Sequence, residues 1–172
     1  MGDPAIDKQH SQTINTAIER LRQFTQQDRQ TLWCCSLSDG LPSQQCDPAQ
    51  WQNWTPIALN EREHIAWPAG RQVLWLGQVV QMLPALAEYP LTGLTARLAL
   101  TWWAEQADIY MNGQLVQQGD LYDTSARVVL TETLVPGTSV TVAIRLVSPS
   151  HDAGALVRSR LICEPTLPAR ID

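Results

Sequence analysis

The sequence from 94 to 147, LTARLALTWWAEQADIYMNGQLVQQGDLYDTSARVVLTETLVPGTSVTVAIRLV, determines the fold class of this chain. Every second residue from 94 to 102 is apolar, which is the period of a strand with one buried face. A second short alternation ends at Asn112-Gly113, where both residues tolerate the positive φ of a tight hairpin turn. The alternation returns from 140 to 146, after a Pro136-Gly137 turn. The stretch therefore predicts antiparallel strands joined by short turns.

Further strands are predicted outside this stretch, at 31–36, 65–67, 72–82 and 155–163. The run 72–82 is apolar on both faces, so we expect a central strand or one covered on its outer side by a helix. About eight strands with few long connections predict a mainly all-β fold, an antiparallel two-sheet β-sandwich of the jelly-roll type. The sandwich is expected to occupy 31–172, with Pro165 and Pro168 ending the last strand.

One amphipathic helix is predicted near the N-terminus. Ile14, Ile18 and Leu21 recur at the spacing of one helix face, whereas 1–10 is polar and expected to be frayed. Such an apolar stripe is expected to pack on the sandwich, with a partner protein as the alternative. The tail and helix, 1–30, and the sandwich would then form a single domain.

The composition and charge exclude several classes of partner. The net charge is −5 and no basic stripe is present, so a nucleic acid is not expected to bind. No uncharged apolar run has the length of a membrane span, and the polar N-terminus does not resemble a signal peptide. We therefore expect a cytoplasmic protein without a membrane partner.

The four cysteines predict neither a metal site nor a disulfide. Cys34 and Cys35 are neighbours, so on a strand their side chains point to opposite faces. Opposite faces disfavour both a shared metal ion and a mutual disulfide. Reduced thiols that act as small apolar groups are the expectation, and no cofactor is expected in this domain.

Tryptophan is the one over-represented aromatic residue, with seven copies against a single phenylalanine. Trp51 and Trp54 lie in a long loop, 37–62, where they either stack on a sugar or pin the loop onto the core; we favour the pinning. Strand parity places Trp102 in the core and Trp103 on the opposite face, beside Glu105. An exposed indole there stacks on a sugar ring or, as we prefer, contacts protein.

No residue is predicted to be catalytic. Two carboxylate pairs, Asp120 with Asp123 and Glu105 with Asp108, are interpreted as solvated turn residues, with a cation bound by the first pair as the less favoured alternative. The serine, histidine and aspartate of 150–152 are consecutive, and a nucleophilic triad needs groups that converge through space. His151 and Asp152 are expected to bond the backbone of their own loop.

The segment 108–147 resembles the sugar-binding-like domain that precedes the catalytic domain in several glycoside hydrolases. The matching features are a strand that ends in Asn112-Gly113, the Gly119-Asp120 step and the Pro136-Gly137 turn before a long last strand. Four segments, YPLTGL (89–94), LALTWWAE (98–105), RLVSPSHD (145–152) and GALVRS (154–159), are similar to the N-terminal domain of cyanobacterial-type α-mannosidases of glycoside hydrolase family 38.

This resemblance implies a galactose-binding-like sandwich that leads a longer enzyme. The zinc ion and nucleophilic carboxylate of that family lie in a later catalytic domain, so this chain would be a non-catalytic accessory domain that packs against it. His151, Asp152 and Arg158 would then be contacts with that domain. The alternative is a carbohydrate-binding module that recognises mannosides through the following residues: Trp51, Trp54, Trp103, Glu105, Tyr110 and Tyr122. A small enzyme in its own right is the third and least favoured hypothesis.

Overall fold

Two antiparallel sheets face each other across an apolar core in the computed structural model, which describes residues 4–166. In chain order the helices and strands are α1 (Pro4–Thr25), β1 (Gln26–Asp28), β2 (Cys34–Ser36), α2 (Pro42–Gln45), β3 (Thr55–Pro56), β4 (Ile65–Trp67), β5 (Val73–Gln81), β6 (Ala85–Leu86), β7 (Tyr89–Pro90), β8 (Thr95–Trp103), β9 (Gln106–Met111), β10 (Gln114–Asp120), β11 (Ser125–Thr131), β12 (Ser139–Val147) and β13 (Gly154–Glu164). Two 3-10 helices, Gln30–Leu32 and Pro48–Asn53, lie between them.

Sheet A has the order β1-β13-β8-β11, with β4 also paired to β13, and sheet B has the order β10-β9-β12-β5-β2-β3. All pairings between these strands are antiparallel. The hairpin of β6 and β7 forms a separate small sheet. The predicted mainly-β, two-sheet sandwich with one N-terminal helix is confirmed.

The stretch that determined the fold class behaves as predicted. In β8, the side chains of Leu98, Leu100 and Trp102 are buried between the sheets, while Trp103 on the opposite face is 40% exposed. The turn after β9 has φ of 48° at Asn112 and 81° at the following glycine, as a tight hairpin requires. Alternation of apolar residues therefore identified both the strands and their buried faces.

The segment 26–62 differs from its prediction in detail. The expected strand 31–36 is shorter, because 30–32 form a 3-10 helix and only Cys34–Ser36 pair, while an unpredicted strand β1 lies beside β13. The long loop contains α2, a 3-10 helix and β3. Cys34 and Cys35 point to opposite faces of sheet B, as predicted, and all four cysteines are free.

Strand β5 is central in sheet B, as expected, but α1 does not cover it. Its outer face carries Trp75 and Gly77, and this face is covered by Trp51 and Cys46 from the loop. This loop segment is held close to β5, because β2, which precedes it, pairs with β5, and β3, which follows it, pairs with β2 at the edge of the same sheet. A second, smaller apolar cluster therefore lies outside sheet B.

The N-terminal helix is longer and more exposed than predicted. It begins at Pro4, so 4–10 are helical instead of a frayed tail. Its apolar stripe lies in solvent, with Ile14 58% and Leu21 63% exposed, and contact with the sandwich is confined to its C-terminal end, where Phe24 lies 6.2 Å from the ring of Tyr89. The inner sheet faces are already filled by their own strands, so the helix finds no open apolar face there.

Residues 4–166 contain neither a membrane-spanning helix nor a cluster of metal-ligating side chains. No helix there has the length and the apolar character that a bilayer crossing needs. No three side chains of histidine, cysteine, aspartate or glutamate in the same part of the chain are grouped so that they could hold a metal ion. Pro165 follows β13 as predicted, whereas Pro168 lies outside the described residues.

Candidate functional site

A polar groove of about 580 Å³ lies at one end of the sandwich, and we call it the end groove. It is lined by Arg71, Glu105, Gln106, Gln118, Gly119, Asp120, Asp123 and Val147. These residues come from the turn before β5, the β8–β9 turn with the start of β9, the end of β10 with the turn that follows it, and the end of β12. The groove thus brings together three of the carboxylates that the sequence analysis considered in separate turns.

Glu105 forms one wall of the end groove. Its Oε1 forms an ion pair with the Arg71 guanidinium, at an N–O distance of 3.0 Å. Its backbone N–H donates to the carbonyl of Val147 at 2.8 Å. Its Oε2 is shielded from solvent and finds no hydrogen-bond partner among residues 4–166. Such an oxygen can accept one further hydrogen bond, since a carboxylate offers several acceptor positions.

The Asp120–Asp123 turn forms the opposite wall. The Asp120 Oδ1 accepts the backbone N–H groups of Tyr122 and Asp123 at 2.8 and 3.0 Å. This carboxylate therefore supports its own turn, as the interpretation of a turn residue predicted. The turn rests on the core, because the Trp102 indole donates to the carbonyl of Asp120 at 3.3 Å.

Two of the predicted aromatic residues lie at or near this end of the molecule with open faces. Tyr122, at the tip of the groove wall, is 99% exposed. Trp103 precedes the β8–β9 turn and lies on the outer face of sheet A, where it pairs with Ala155 of β13. Of the predicted stacking residues, these two have the most accessible rings.

The loop 148–154 reaches the same end. The N–H groups of Gly70 and Arg71 donate to the carbonyl of Pro149, which ties the loop to the Arg71 side of the groove. His151 and Asp152 are exposed and contact each other, with 3.6 Å between Nε2 and Oδ2, instead of bonding the loop backbone as predicted. An exposed side-chain pair leaves both groups available to a partner.

Trp51 and Trp54 lie elsewhere, on the outer face of sheet B. Trp51 is only 7% exposed, and its indole donates to the carbonyl of Gln45 at 2.8 Å. Its ring lies so close to Gly77 that a Cβ at that position would be 2.5 Å from the ring. The ring of Trp54 packs against the ring of Trp51, with 6.0 Å between the centroids. Trp51 therefore pins the loop and has no open face for a sugar.

Tyr110 is also on this outer face and is partly buried against Trp75, with ring centroids 5.7 Å apart. Burial raises the pKa of the Tyr110 phenol, and the nearby Asp108 carboxylate adds to the shift. The prediction of Asp108 as a solvated turn carboxylate is wrong. It is 5% exposed within β9 and accepts hydrogen bonds from the side chains of Gln106 and Gln118, both at 2.9 Å.

An ion pair that was not predicted from the sequence lies beside these residues. Asp39 accepts two hydrogen bonds from the Arg145 guanidinium, at 3.1 and 2.9 Å, and a third from the Trp75 indole at 2.9 Å. These bonds lower the pKa of Asp39, with the Arg145 bond as the largest cause. The only signal was a charged residue, Arg145, at an outward position of a mainly apolar strand.

We expect Asp39→Asn to reduce the dependence of stability on acid pH. Because the folded state lowers the Asp39 pKa, the carboxylate contributes stability above its unfolded pKa of about 3.9 and loses it as the pH falls through the folded value. Asp39 is exposed, so the contribution at pH 7 is expected to be about 1 kcal/mol or less. Urea unfolding at pH 7 and at low pH measures it. Asp7→Asn on the exposed helix is the control, and an equal effect from it would contradict the assignment.

Several solved structures of glycoside hydrolases are similar to this chain in fold, whereas no family model and no curated protein matches it. A Bacteroides uniformis β-glucuronidase has a TM-score of 0.63 at 20% identity, over 83% of this chain and 18% of its own. A glycosyl hydrolase family 2 member from Bacteroides cellulosilyticus has a TM-score of 0.60 at 15% identity, over 82% and 21%. The chain thus spans about a fifth of their length, and at such identities the likeness establishes the β-sandwich fold alone.

Proposed function

We propose that this chain is a non-catalytic accessory domain of a cytoplasmic glycoside hydrolase, in which it packs against and supports the catalytic domain. The observation that carries the proposal is the likeness of the sandwich to one part of glycoside hydrolases about five times its length. As a finer proposal, the parent enzyme is an α-mannosidase, on the basis of the four matched segments between 89 and 159. The structural neighbours are β-glucuronidases and family 2 enzymes, so the experiment must distinguish the two activities.

The state of the groove carboxylates supports an accessory role over catalysis. A glycosidase needs two carboxyl groups that face each other across a bound sugar, one as acid and one as base or nucleophile. Here Glu105 is paired with Arg71, and Asp120 is held by its own turn. Both carboxylates therefore serve the structure of the groove.

Exposed apolar surface supports a docking role. Ile14 and Leu21 on the helix and Trp103 on sheet A are large apolar side chains in solvent. The helix residues lie on one face of α1 and so form a continuous apolar stripe, and such stripes mark contacts with other protein. The exposed His151–Asp152 pair, at the same end of the sandwich as Trp103, would add a polar contact with the catalytic domain.

The test is to produce this chain and the catalytic part of its parent separately and together. We expect the catalytic part alone to lose thermal stability and activity, and the added chain to restore both. Full stability and full activity of the catalytic part alone would refute the supporting role.

The activity of the parent enzyme is tested with two substrates, nitrophenyl α-mannoside and nitrophenyl β-glucuronide. Loss of α-mannoside hydrolysis on zinc chelation would support the family 38 proposal.

Carbohydrate binding in the end groove is the second candidate function. The observation that favours it is a groove lined by side-chain amides and carboxylates, two of which, Asp120 and Asp123, belong to the turn that carries the exposed Tyr122. Sugar sites combine such hydrogen-bonding groups with an aromatic face.

Titration with mannose and mannobiose, followed by NMR, tests the second function. We expect localised shifts at Gln106, Gln118 and Asp123, and their loss in Tyr122→Ala. Tyr89→Ala, which removes another exposed tyrosine on a different hairpin, is the matched control. Absence of saturable shifts up to tens of millimolar sugar would exclude a carbohydrate site in this groove.

A further inference from the structure

Arg158 lies outside the end groove and lines a second cavity, of about 260 Å³, together with Arg62 and Arg160. The cavity lies between the start of the sandwich at 28–31, the turn 59–64 and strand β13. We call it the arginine pocket. Nothing in the end groove involves these residues.

The arginine pocket holds cations that the fold leaves unpaired. Within residues 4–166, three arginines have side chains that make no hydrogen bond or ion pair: Arg20, Arg62 and Arg158. Arg20 lies on the exposed helix, whereas the other two line the same cavity. Both guanidinium groups belong to exposed residues beside one cavity, so both are free to bind an anionic partner.

The turn that carries Arg62 is held firmly in place. The buried Gln30 side chain donates to the carbonyls of Leu156 at 2.7 Å and Glu63 at 3.3 Å, so it joins the turn to β13. The Asn60 Oδ1 accepts the backbone N–H of Arg62 at 2.9 Å. Glu63 adopts a φ of 62°, a strained value for a residue with a side chain, which the surrounding bonds maintain.

A bulge in β13 shapes the facing wall. The pairing of β13 with β8 shifts register between Leu156 and Arg158. Neighbouring residues of a regular strand point to opposite faces, yet Val157 and Arg158 both line this cavity. Bulges re-aim side chains in this manner, and here the result is a guanidinium at the cavity wall.

The charges of the wall favour carboxylates over a compact multivalent anion. Asp28 and Glu63 also line the cavity, so a phosphate would meet two negative groups as well as the arginines. A carboxylate carries a single charge and fits the planar guanidinium fork in a bidentate manner. A segment with separated carboxylates can therefore satisfy Arg62 and Arg158 individually.

We propose that the arginine pocket is a docking site for a carboxylate-bearing segment of the catalytic domain, bound by Arg62 and Arg158. The identity of this partner rests on the proposed function, whereas the chemistry of the pocket does not. The partner's aspartate or glutamate side chains form ion pairs with the two guanidinium groups. Docking is then expected to weaken as salt increases, because Arg62 and Arg158 are exposed and their ion pairs are screened.

The first test uses this chain with a synthetic peptide of glutamates separated by glycines, its glutamine counterpart, and inorganic phosphate. We expect saturable NMR shifts at the Nε–H groups of Arg62 and Arg158 with the glutamate peptide. In R62Q/R158Q the dissociation constant for the glutamate peptide is expected to rise about tenfold, because two exposed ion pairs are lost and each contributes little. R20Q removes the third unpaired arginine and is expected to bind like the unaltered chain. Unchanged thermal unfolding shows that the variants fold.

Equal binding by R62Q/R158Q, or tighter binding of phosphate than of the glutamate peptide, would overturn the proposal. A second measurement separates it from the proposed function. If the unaltered chain and R62Q/R158Q associate equally well with the catalytic part, the arginine pocket is not the docking site, while the accessory role stands. If the unaltered chain does not associate at all, the accessory role itself fails.

Discussion

Trp102→Ala is expected to lower the free energy of unfolding by about 3–5 kcal/mol, and Trp103→Ala by about 1 kcal/mol or less. The two residues are adjacent, but Trp102 is 2% exposed between the sheets and Trp103 is 40% exposed outside them. Removal of the buried indole leaves a cavity that the rigid sheets fill only in part. It also removes the hydrogen bond to the carbonyl of Asp120, which supports one wall of the end groove.

Urea unfolding of both variants, monitored by circular dichroism, measures this difference directly. Trp102→Phe is a useful third variant, because it retains most of the buried area and loses the indole N–H. We expect it to fall between the unaltered chain and Trp102→Ala. Similar losses for Trp102→Ala and Trp103→Ala would mean that the strand register is wrong, since a shift of one residue exchanges the two faces.

The same parity explains why the sandwich could be predicted from the sequence. In β8 the period of two residues identifies a strand and, at the same time, the face that is buried. The pair at Asn112 and Gly113 adds the turn, because few other residue pairs adopt positive φ at two successive positions. Local chemistry thus determines these elements before any tertiary contact is considered.

The covering of the sheets could not be predicted in this way. The spacing of Ile14, Ile18 and Leu21 indicates an apolar helix face but contains no information on what covers that face. The outer face of β5 is instead covered by Trp51, which is the pinning role that we favoured. A signal for this contact was present in Gly77, because a glycine at an outward position of an apolar strand leaves room for a ring.

Which polar residues come together in space depends on tertiary structure even more than the covering of the sheets does. Glu105 and Asp120 were each considered in the sequence, but their position in one groove follows from the return of β10 alongside β9. Asp39 and Arg145 are 106 residues apart, and nothing local connects them. Asp108 was misassigned because it was placed with Glu105 in a turn. It lies within β9, where two glutamines that the sheet brings to it donate to its carboxylate.

The contact of Trp51 with Gly77 leads to the second large effect that we expect. Trp51→Ala should cost about 3–5 kcal/mol, as is usual when a buried tryptophan is truncated. Gly77→Ala should cost about 1–3 kcal/mol, because the new Cβ would lie 2.5 Å from the Trp51 ring and the ring must move. The backbone at this glycine does not require a positive φ, so the cost arises from the ring and not from backbone strain.

The double variant Trp51→Ala/Gly77→Ala distinguishes this explanation from an effect on the strand itself. Once the ring is absent, alanine at 77 meets no obstacle and has a lower entropy cost than glycine in a strand, so the second substitution should be neutral or slightly stabilising. The coupling free energy is then about 1–3 kcal/mol. Gly154→Ala provides the matched control, since its Cβ would meet Trp67 in sheet A at 2.4 Å and its cost should be the same with or without Trp51. An equal cost of Gly77→Ala in both backgrounds would show that Trp51 does not lie on this glycine, and the loop would then need another anchor on sheet B.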